Sequence, residues 1–215
     1  MISFYEGFSI IIYDFKKGTG FNMDQNYSLF SGYKAILWGI FLTSFNINFF
    51  GIPILPQFIE WLILVKGINH LKDVSPSKSL KYAGEVGSWL ALLTFIGGYL
   101  SLSRPDIFKN GTLFTIIWST IIMTMQLILK YYILVGSIDL LEMFHKYDVV
   151  KRYIKNIRNF IISNIVVMVF QTISLTIALE KWLAVSGIAF IILNLWFMRL
   201  VNELKNILSN DVVYE

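Results

Sequence analysis

Hydrophobic residues in this chain fall in long runs, and most charged residues lie between the runs. Each run is long enough to cross a hydrocarbon layer about 30 Å thick as an α-helix, which takes roughly 20 residues. The pattern predicts an all-α, polytopic transmembrane helical bundle with about six spans. The predicted spans cover about 33–50, 54–71, 86–103, 113–135, 160–179 and 182–201.

Composition supports a membrane protein. The 215 residues are 56% hydrophobic and 15% charged, whereas soluble domains carry about 25% charged residues. Six spans use most of the chain, so we expect one transmembrane bundle over 33–208 and no separate soluble domain. The formal charge of +4 is explained by basic cytoplasmic loops, and it does not indicate nucleic acid.

The distribution of Lys and Arg predicts the orientation of the bundle. With six spans and a cytoplasmic N-terminus, 14 of the 18 basic residues lie on the cytoplasmic side. Arg104, Lys109 and Lys181 lie outside, and Lys130 falls within span four. Cytoplasmic loops of membrane proteins carry an excess of basic residues. We therefore predict that both termini are cytoplasmic and that the protein is a multi-pass protein of the cell membrane.

The segments outside the spans have simple predicted roles. Residues 1–32 are predicted to form a cytoplasmic or interfacial segment, with either an interfacial helix or a cytoplasmic packing segment over 2–17 and a loop over 18–32. Residues 209–215 form a C-terminal tail. Gly51, Pro53 and Pro56 predict an uncharged turn between spans one and two. This hairpin either crosses the membrane fully or is re-entrant.

Residues 139–159 are predicted to form a basic amphipathic helix at the cytoplasmic surface. Apolar residues recur there at spacings of three and four: Leu140, Phe144, Tyr147, Val150, Ile154 and Ile157. The basic residues fall mostly on the other side: Lys146, Lys151, Arg152, Lys155 and Arg158. One interpretation is that this segment extends spans four and five and contacts anionic lipid. The other is that it docks a partner protein, as the coupling helix of a permease does.

Glu60 is the most informative single residue, because it lies about six residues into span two. A charged side chain inside the membrane costs about 2.5–3.5 kcal/mol even on lenient insertion scales. Lys66, Lys130 and Arg199 lie in the inner halves of their spans, where we expect their long side chains to reach the cytoplasmic interface. Glu60 is too short to do so.

We predict a polar pocket around Glu60 that opens outward between spans one, two, four and five. Its candidate residues are Glu60, three residues of the first hairpin turn and three polar residues of spans four and five, namely Glu60, Gln57, Asn46, Asn48, Ser119, Gln171 and Ser174. One face of span four carries Thr112, Thr115, Ser119, Gln126 and Lys130, and one face of span five carries Asn164, Gln171 and Ser174. Thr115, Ser119, Gln171 and Ser174 lie in the outer halves of their spans, at the same depth as Glu60, which is why we assign them to it. The alternative is that these polar groups only bond helices together, which is common in membranes.

Residue types that catalysis and metal binding require are scarce. The chain has no cysteine, and its two histidines, His70 and His145, are far apart. We find no nucleophile paired with a histidine, no phosphate-binding glycine loop and no metal-ligand cluster. We therefore expect neither enzymatic activity nor a cofactor. An intramembrane enzyme is the least supported class of function.

Residues 32–71 resemble the N-terminal hairpin of a loose group of small, uncharacterised polytopic membrane proteins of Gram-positive bacteria, whose turn contains an ILPDFIG-like motif. The matching positions here are Asn48, Gly51, Ile54, Leu55, Pro56, Phe58 and Ile59. Pro53, Gln57 and Glu60 stand where that group has Asp, Asp and Gly, and Trp61 replaces a Tyr. The resemblance implies a bacterial cytoplasmic membrane and no particular reaction.

Two classes of function remain open. The first is a non-catalytic membrane component, either a permease-like or accessory subunit or a regulator, that acts with a membrane or cytoplasmic partner. The basic segment 139–159 and the short loops favour this class. The second is an autonomous transporter of a small solute or ion, favoured by Glu60 and the polar faces of spans four and five. An inverted repeat would favour the transporter, and the sequence shows no convincing one.

Overall fold

The computed structural model describes residues 23–45, 48–49, 52–53, 56–108, 112–177 and 180–210. The predicted interfacial helix over 2–17, Asn46 and residues 211–215 lie outside this part of the chain. Six α-helices occur in the described residues, which confirms the all-α class. They are α1 (Met23–Phe45), α2 (Gln57–Val74), α3 (Lys78–Ser103), α4 (Leu113–Met143), α5 (Tyr147–Ile177) and α6 (Glu180–Asn210).

Each helix packs against its neighbours in sequence, and α6 packs against α1, so the six helices form a closed ring. The connections between α2 and α3 and between α4 and α5 are only a few residues long, which makes consecutive helices antiparallel. Helices α4 and α6 also contact each other directly. A two-residue antiparallel strand pair, β1 (Asn48–Phe49) with β2 (Ile52–Pro53), lies in the turn between α1 and α2. A short 3₁₀ helix, Pro105–Phe108, precedes α4.

Four helices are long and apolar enough to cross a membrane, over Lys78–Ser103, Leu113–Met143, Tyr147–Ile177 and Lys181–Leu208. Helices α1 and α2 are not in this group, and the 18 residues of α2 include four charged ones. Large apolar side chains such as Trp89, Val166 and Ile188 are exposed on the outside of the bundle. An apolar exterior on long apolar helices is typical of a protein surrounded by lipid.

Helix α1 begins ten residues before the predicted start of span one at Tyr33, so the predicted loop over 18–32 is wrong from Met23 onward. The buried side chains of Leu29 and Tyr33 explain this difference, because they join the core of the bundle. The polar stretch therefore forms the first turns of a packed helix. Burial of these side chains in the core stabilises a helix there, although the apolar periodicity of this stretch is weak.

The structure also corrects the prediction of one amphipathic helix over 139–159. Helix α4 ends at Met143 and α5 begins at Tyr147. His145 takes a left-handed conformation with φ 57°. The amide N–H groups of Lys146 and His145 donate to the carbonyls of Leu141 and Glu142. These two bonds form a Schellman motif, which ends a helix and is usually announced by a glycine. The other interpretation of 139–159, in which this segment extends spans four and five, agrees with the observed bounds of α4 and α5.

Candidate polar site within the helical bundle

Helix α4 contributes Lys130, which is only 7% exposed. Thr115 and Gln126, which share the predicted polar face with Lys130, are also buried. These three polar side chains of α4 therefore face the inside of the bundle, where they are shielded from lipid.

The ammonium group of Lys130 is held by α6. Its Nζ donates a hydrogen bond of 2.6 Å to Asn194 Oδ1. The same Nζ lies 4.7 Å from the centre of the Phe190 ring and 6.0 Å from that of Phe197. Aromatic faces attract cations within about 6 Å. The prediction that Lys130 reaches the cytoplasmic interface is therefore wrong, because α6 supplies its partners inside the bundle.

Helix α5 contributes the third side of the site. Asn164 is buried and its Nδ2 donates to the carbonyl of Phe160 at 2.9 Å. Ser174 is also buried and donates to the carbonyl of Phe170. Gln171 differs from both, because its buried Oε1 atom has no hydrogen-bond partner among the described residues.

Lys130, Asn164 and Gln171 line a small cavity between α4, α5 and α6. Its volume is about 10 Å³, which is close to the minimum that holds one water molecule. The residues around it are Met123, Gln126, Leu127, Lys130, Asn164, Met168, Gln171 and Phe190. The polar faces predicted for spans four and five therefore meet each other, and α6 completes the site.

Glu60 lies elsewhere in the ring, in the first turn of α2, which packs against α1 and α3. Its side chain is 2% exposed and its Oε2 atom has no hydrogen-bond partner in the described part of the chain. Trp61 Nε1, beside it in sequence, is likewise buried and unpartnered there. The first turn of a helix favours a negative charge, because its backbone N–H groups point outward along the axis.

The other residues predicted to share a pocket with Glu60 are spread over several elements. Gln57 is exposed at the start of α2, and Ser119 is half-buried on α4. Asn48 belongs to β1, where its backbone pairs with Pro53. Gln171 lines the cavity beside Lys130. The pocket around Glu60 stays a prediction.

Sequence reasoning missed the contribution of α6 to the polar site. Asn194 is the only amide side chain in the predicted span 182–201, and it is 2% exposed. An amide within an apolar span is a signal that could have been used. Its pairing with Lys130 depends on which helices are neighbours, and a single sequence does not show that.

The basic residues predicted to dock a partner or lipid lie on the first turns of α5 and in the turn before it. Lys151, Arg152, Lys155 and Arg158 are exposed, and Lys146 is half-buried. On the opposite side Val150 and Ile157 are buried, as the pattern predicts. Ile154 is 55% exposed, and Tyr153 is buried in its place. The turn at His145 shifts the helical phase and accounts for this difference.

Tyr153 links this end of α5 to α6. Its hydroxyl donates to Glu203 Oε2 at 2.8 Å, and Glu203 also pairs with Arg199 at 3.2 Å. Glu203 lies beyond the predicted span 182–201.

The described residues contain no cluster of His, Asp and Glu that could hold a metal ion. Comparison with protein families, with curated proteins and with solved structures gives no match to this chain.

Proposed function

We propose that the chain is a six-span protein of the bacterial cell membrane with both termini in the cytoplasm. Four long apolar helices support a membrane protein. Helices α1 and α2 complete the closed ring with them, which supports six crossings. The excess of basic residues on one side supports the orientation.

Cysteine labelling tests this topology directly, because the natural chain has no cysteine. The variant Lys151→Cys places a thiol near the start of α5, and Lys181→Cys places one near the start of α6. Both positions are exposed, and in the proposed topology they lie on opposite sides of the membrane. A membrane-impermeant maleimide should label Lys181→Cys in intact cells. It should label Lys151→Cys only after permeabilisation. The reverse result, or labelling of both in intact cells, would refute the proposed topology.

Within that membrane, the chain acts as a non-catalytic component that works with a partner protein. The observation that carries this proposal is the exposed basic surface formed by Lys151, Arg152, Lys155 and Arg158. Helix α5 has 31 residues and is therefore about 46 Å long, longer than the roughly 30 Å hydrocarbon layer. The first turns of α5 thus extend into the cytoplasm, where a partner can reach them.

Purification from native membranes in mild detergent, with mass spectrometry of stoichiometric partners, tests this role. The variant Lys151→Gln/Lys155→Gln should lose the partner. The matched control Lys78→Gln/Lys81→Gln should keep it, since it removes the same charge from exposed positions at the start of α3. A wild-type protein that purifies without a partner would contradict the proposal.

A second candidate function is transport of a small solute or ion through a route that uses Glu60. The buried, unpartnered Oε2 atom of Glu60 favours this alternative, because ionisable groups inside membranes commonly mark substrate pathways. Glu60→Gln should then abolish transport while the protein still folds. Glu85→Gln, at an exposed position on α3, is the control. Failure of Glu60→Gln to assemble would indicate a structural role for this carboxyl group.

A further inference from the structure

The charge of Lys130 has no counter-charge in the described part of the chain. Its Nζ bonds only the neutral amide oxygen of Asn194, and no carboxylate there lies within ion-pair distance of it. An ammonium group carries three N–H donors. One of them is used by Asn194, and the Phe190 ring covers another side of the group. At least one donor remains for a further partner.

A buried cation with only neutral partners is unfavourable in a low-dielectric interior. Transfer of an isolated ion out of water costs far more than one hydrogen bond to an amide recovers. Attraction to aromatic rings offsets part of this cost. A negative charge next to Lys130 would offset much more of it, and the described residues supply none.

The cavity beside Lys130 provides a place for such a charge. Three amide side chains border it, from Gln126, Asn164 and Gln171. Asn164 uses one amide hydrogen on Phe160, which leaves its second one available. The amide of Gln171 can turn to present its N–H groups, since its oxygen has no partner in the described residues. These donors suit an anion, and the volume of about 10 Å³ excludes a large one.

We propose that the cavity between α4, α5 and α6 binds one small monovalent anion, such as a halide, through the Lys130 ammonium group and surrounding amide N–H groups. Met123 and Met168 line the same cavity, and their flexible side chains can adapt to an ion slightly larger than water. A metal cation is disfavoured there by the charge of Lys130. This inference is independent of the partner-binding role.

Chloride is the probe for the first experiment. The thermal midpoint Tm of the purified, detergent-solubilised protein is measured in sodium chloride and in sodium gluconate at equal ionic strength, since gluconate is too large for the cavity. At a chloride concentration tenfold above its Kd, the wild-type Tm should rise by roughly 3–6 °C. Lys130→Met should abolish this rise. Lys66→Met, which removes an exposed Lys of α2, should retain it.

Broadening of the chlorine NMR line by the wild-type protein provides a second measurement that needs no variant. We expect the chlorine line to broaden and bromide to reverse the broadening by competition. Equal Tm values in chloride and gluconate together with an unbroadened line would overturn it. A chloride-dependent rise that persists in Lys130→Met would also overturn it, because the ion would then bind elsewhere. If Lys130→Met does not fold, Gln171→Leu takes its place and should reduce the chloride-dependent rise.

Discussion

The pair α1–α2 and the group α4–α6 are held together in different ways. Helices α1 and α2 approach so closely that a Cβ atom on Gly67 would lie 2.7 Å from the Gly32 carbonyl oxygen and 2.8 Å from the Ile36 nitrogen. Helices α4 and α6 meet through the Lys130–Asn194 hydrogen bond. The first contact depends on the absence of a side chain, and the second depends on the chemistry of two side chains.

This difference follows from what stabilises helix association in a membrane. Lipid tails are as apolar as leucine side chains, so helices associate through close packing and through hydrogen bonds between helices. The first hairpin uses close packing at its glycines. The site in α4–α6 uses polar bonds in its interior. The size of a substituted side chain should therefore decide how much stability is lost in α1–α2. In α4–α6 the loss should depend on whether the new side chain can still form the hydrogen bond.

The largest effect is expected for Gly67→Leu. Its Cβ atom would collide with backbone atoms of α1, which cannot move aside without separating the helices. We expect destabilisation by about 3 kcal/mol or more, measured as loss of folded protein on heating in detergent. The control is Gly98→Leu on α3, where a Cβ atom meets nothing within 4 Å. If both variants unfold alike, close packing does not hold α1 against α2.

Asn194→Ala should have the next largest effect, because it leaves the buried Lys130 ammonium group without its hydrogen-bond acceptor. We expect a loss of about 1.5–3 kcal/mol in stability, measured by thermal unfolding. The double variant Lys130→Met/Asn194→Leu should recover most of this loss, since it removes the charge as well as its partner. If the double variant loses as much stability as the single variants Lys130→Met and Asn194→Leu together, the two residues do not interact.

Tyr153→Phe tests a hydrogen bond of the same region outside the predicted spans. The variant removes the donor to Glu203, and we expect a loss of about 0.5–1.5 kcal/mol. Tyr99→Phe is the matched control, because Tyr99 is 66% exposed. A loss equal to that of Asn194→Ala would mean that depth in the bundle does not affect the strength of these bonds.

The smallest effect is expected for Arg199→Gln. The side chain of Arg199 is 79% exposed, and its guanidinium group pairs with Glu203 one helical turn away. Exposed pairs of this kind contribute less than about 0.5 kcal/mol, and salt screens them. Unfolding at low and at high salt should therefore differ little between the variant and the wild type. A large, salt-dependent loss would contradict this prediction.

The sequence predicted the helices better than it predicted their ends. In the described part of the chain six helices occur near the six predicted runs, but α1 begins at Met23 and not at Tyr33. The turn at His145 was also missed. A left-handed helix end is usually signalled by glycine, and this one is formed by a histidine that the surrounding backbone hydrogen bonds hold in place. Local sequence therefore gave no warning of it.

The candidate site was predicted in part. The pattern placed Lys130 and Gln126 on one face of span four, and Asn164 and Gln171 on one face of span five. The structure brings these faces together around one cavity. The sequence predicted that Gln171 of α5 shares a pocket with Glu60 of α2, whereas α2 packs against α1 and α3. The assignment by depth used position along each helix, and depth alone does not specify which helices are adjacent.

The class of this protein follows from its amino-acid sequence, because helix length and apolar surface must match the thickness of a bilayer whatever the packing. The sequence also indicates which helical faces turn inward, since polar side chains on one face of a span avoid lipid. The closure of the ring by α6 on α1 and the pairing of Asn194 with Lys130 come from the fold alone. Those contacts join residues far apart in the chain, and they depend on how six helical surfaces fit together.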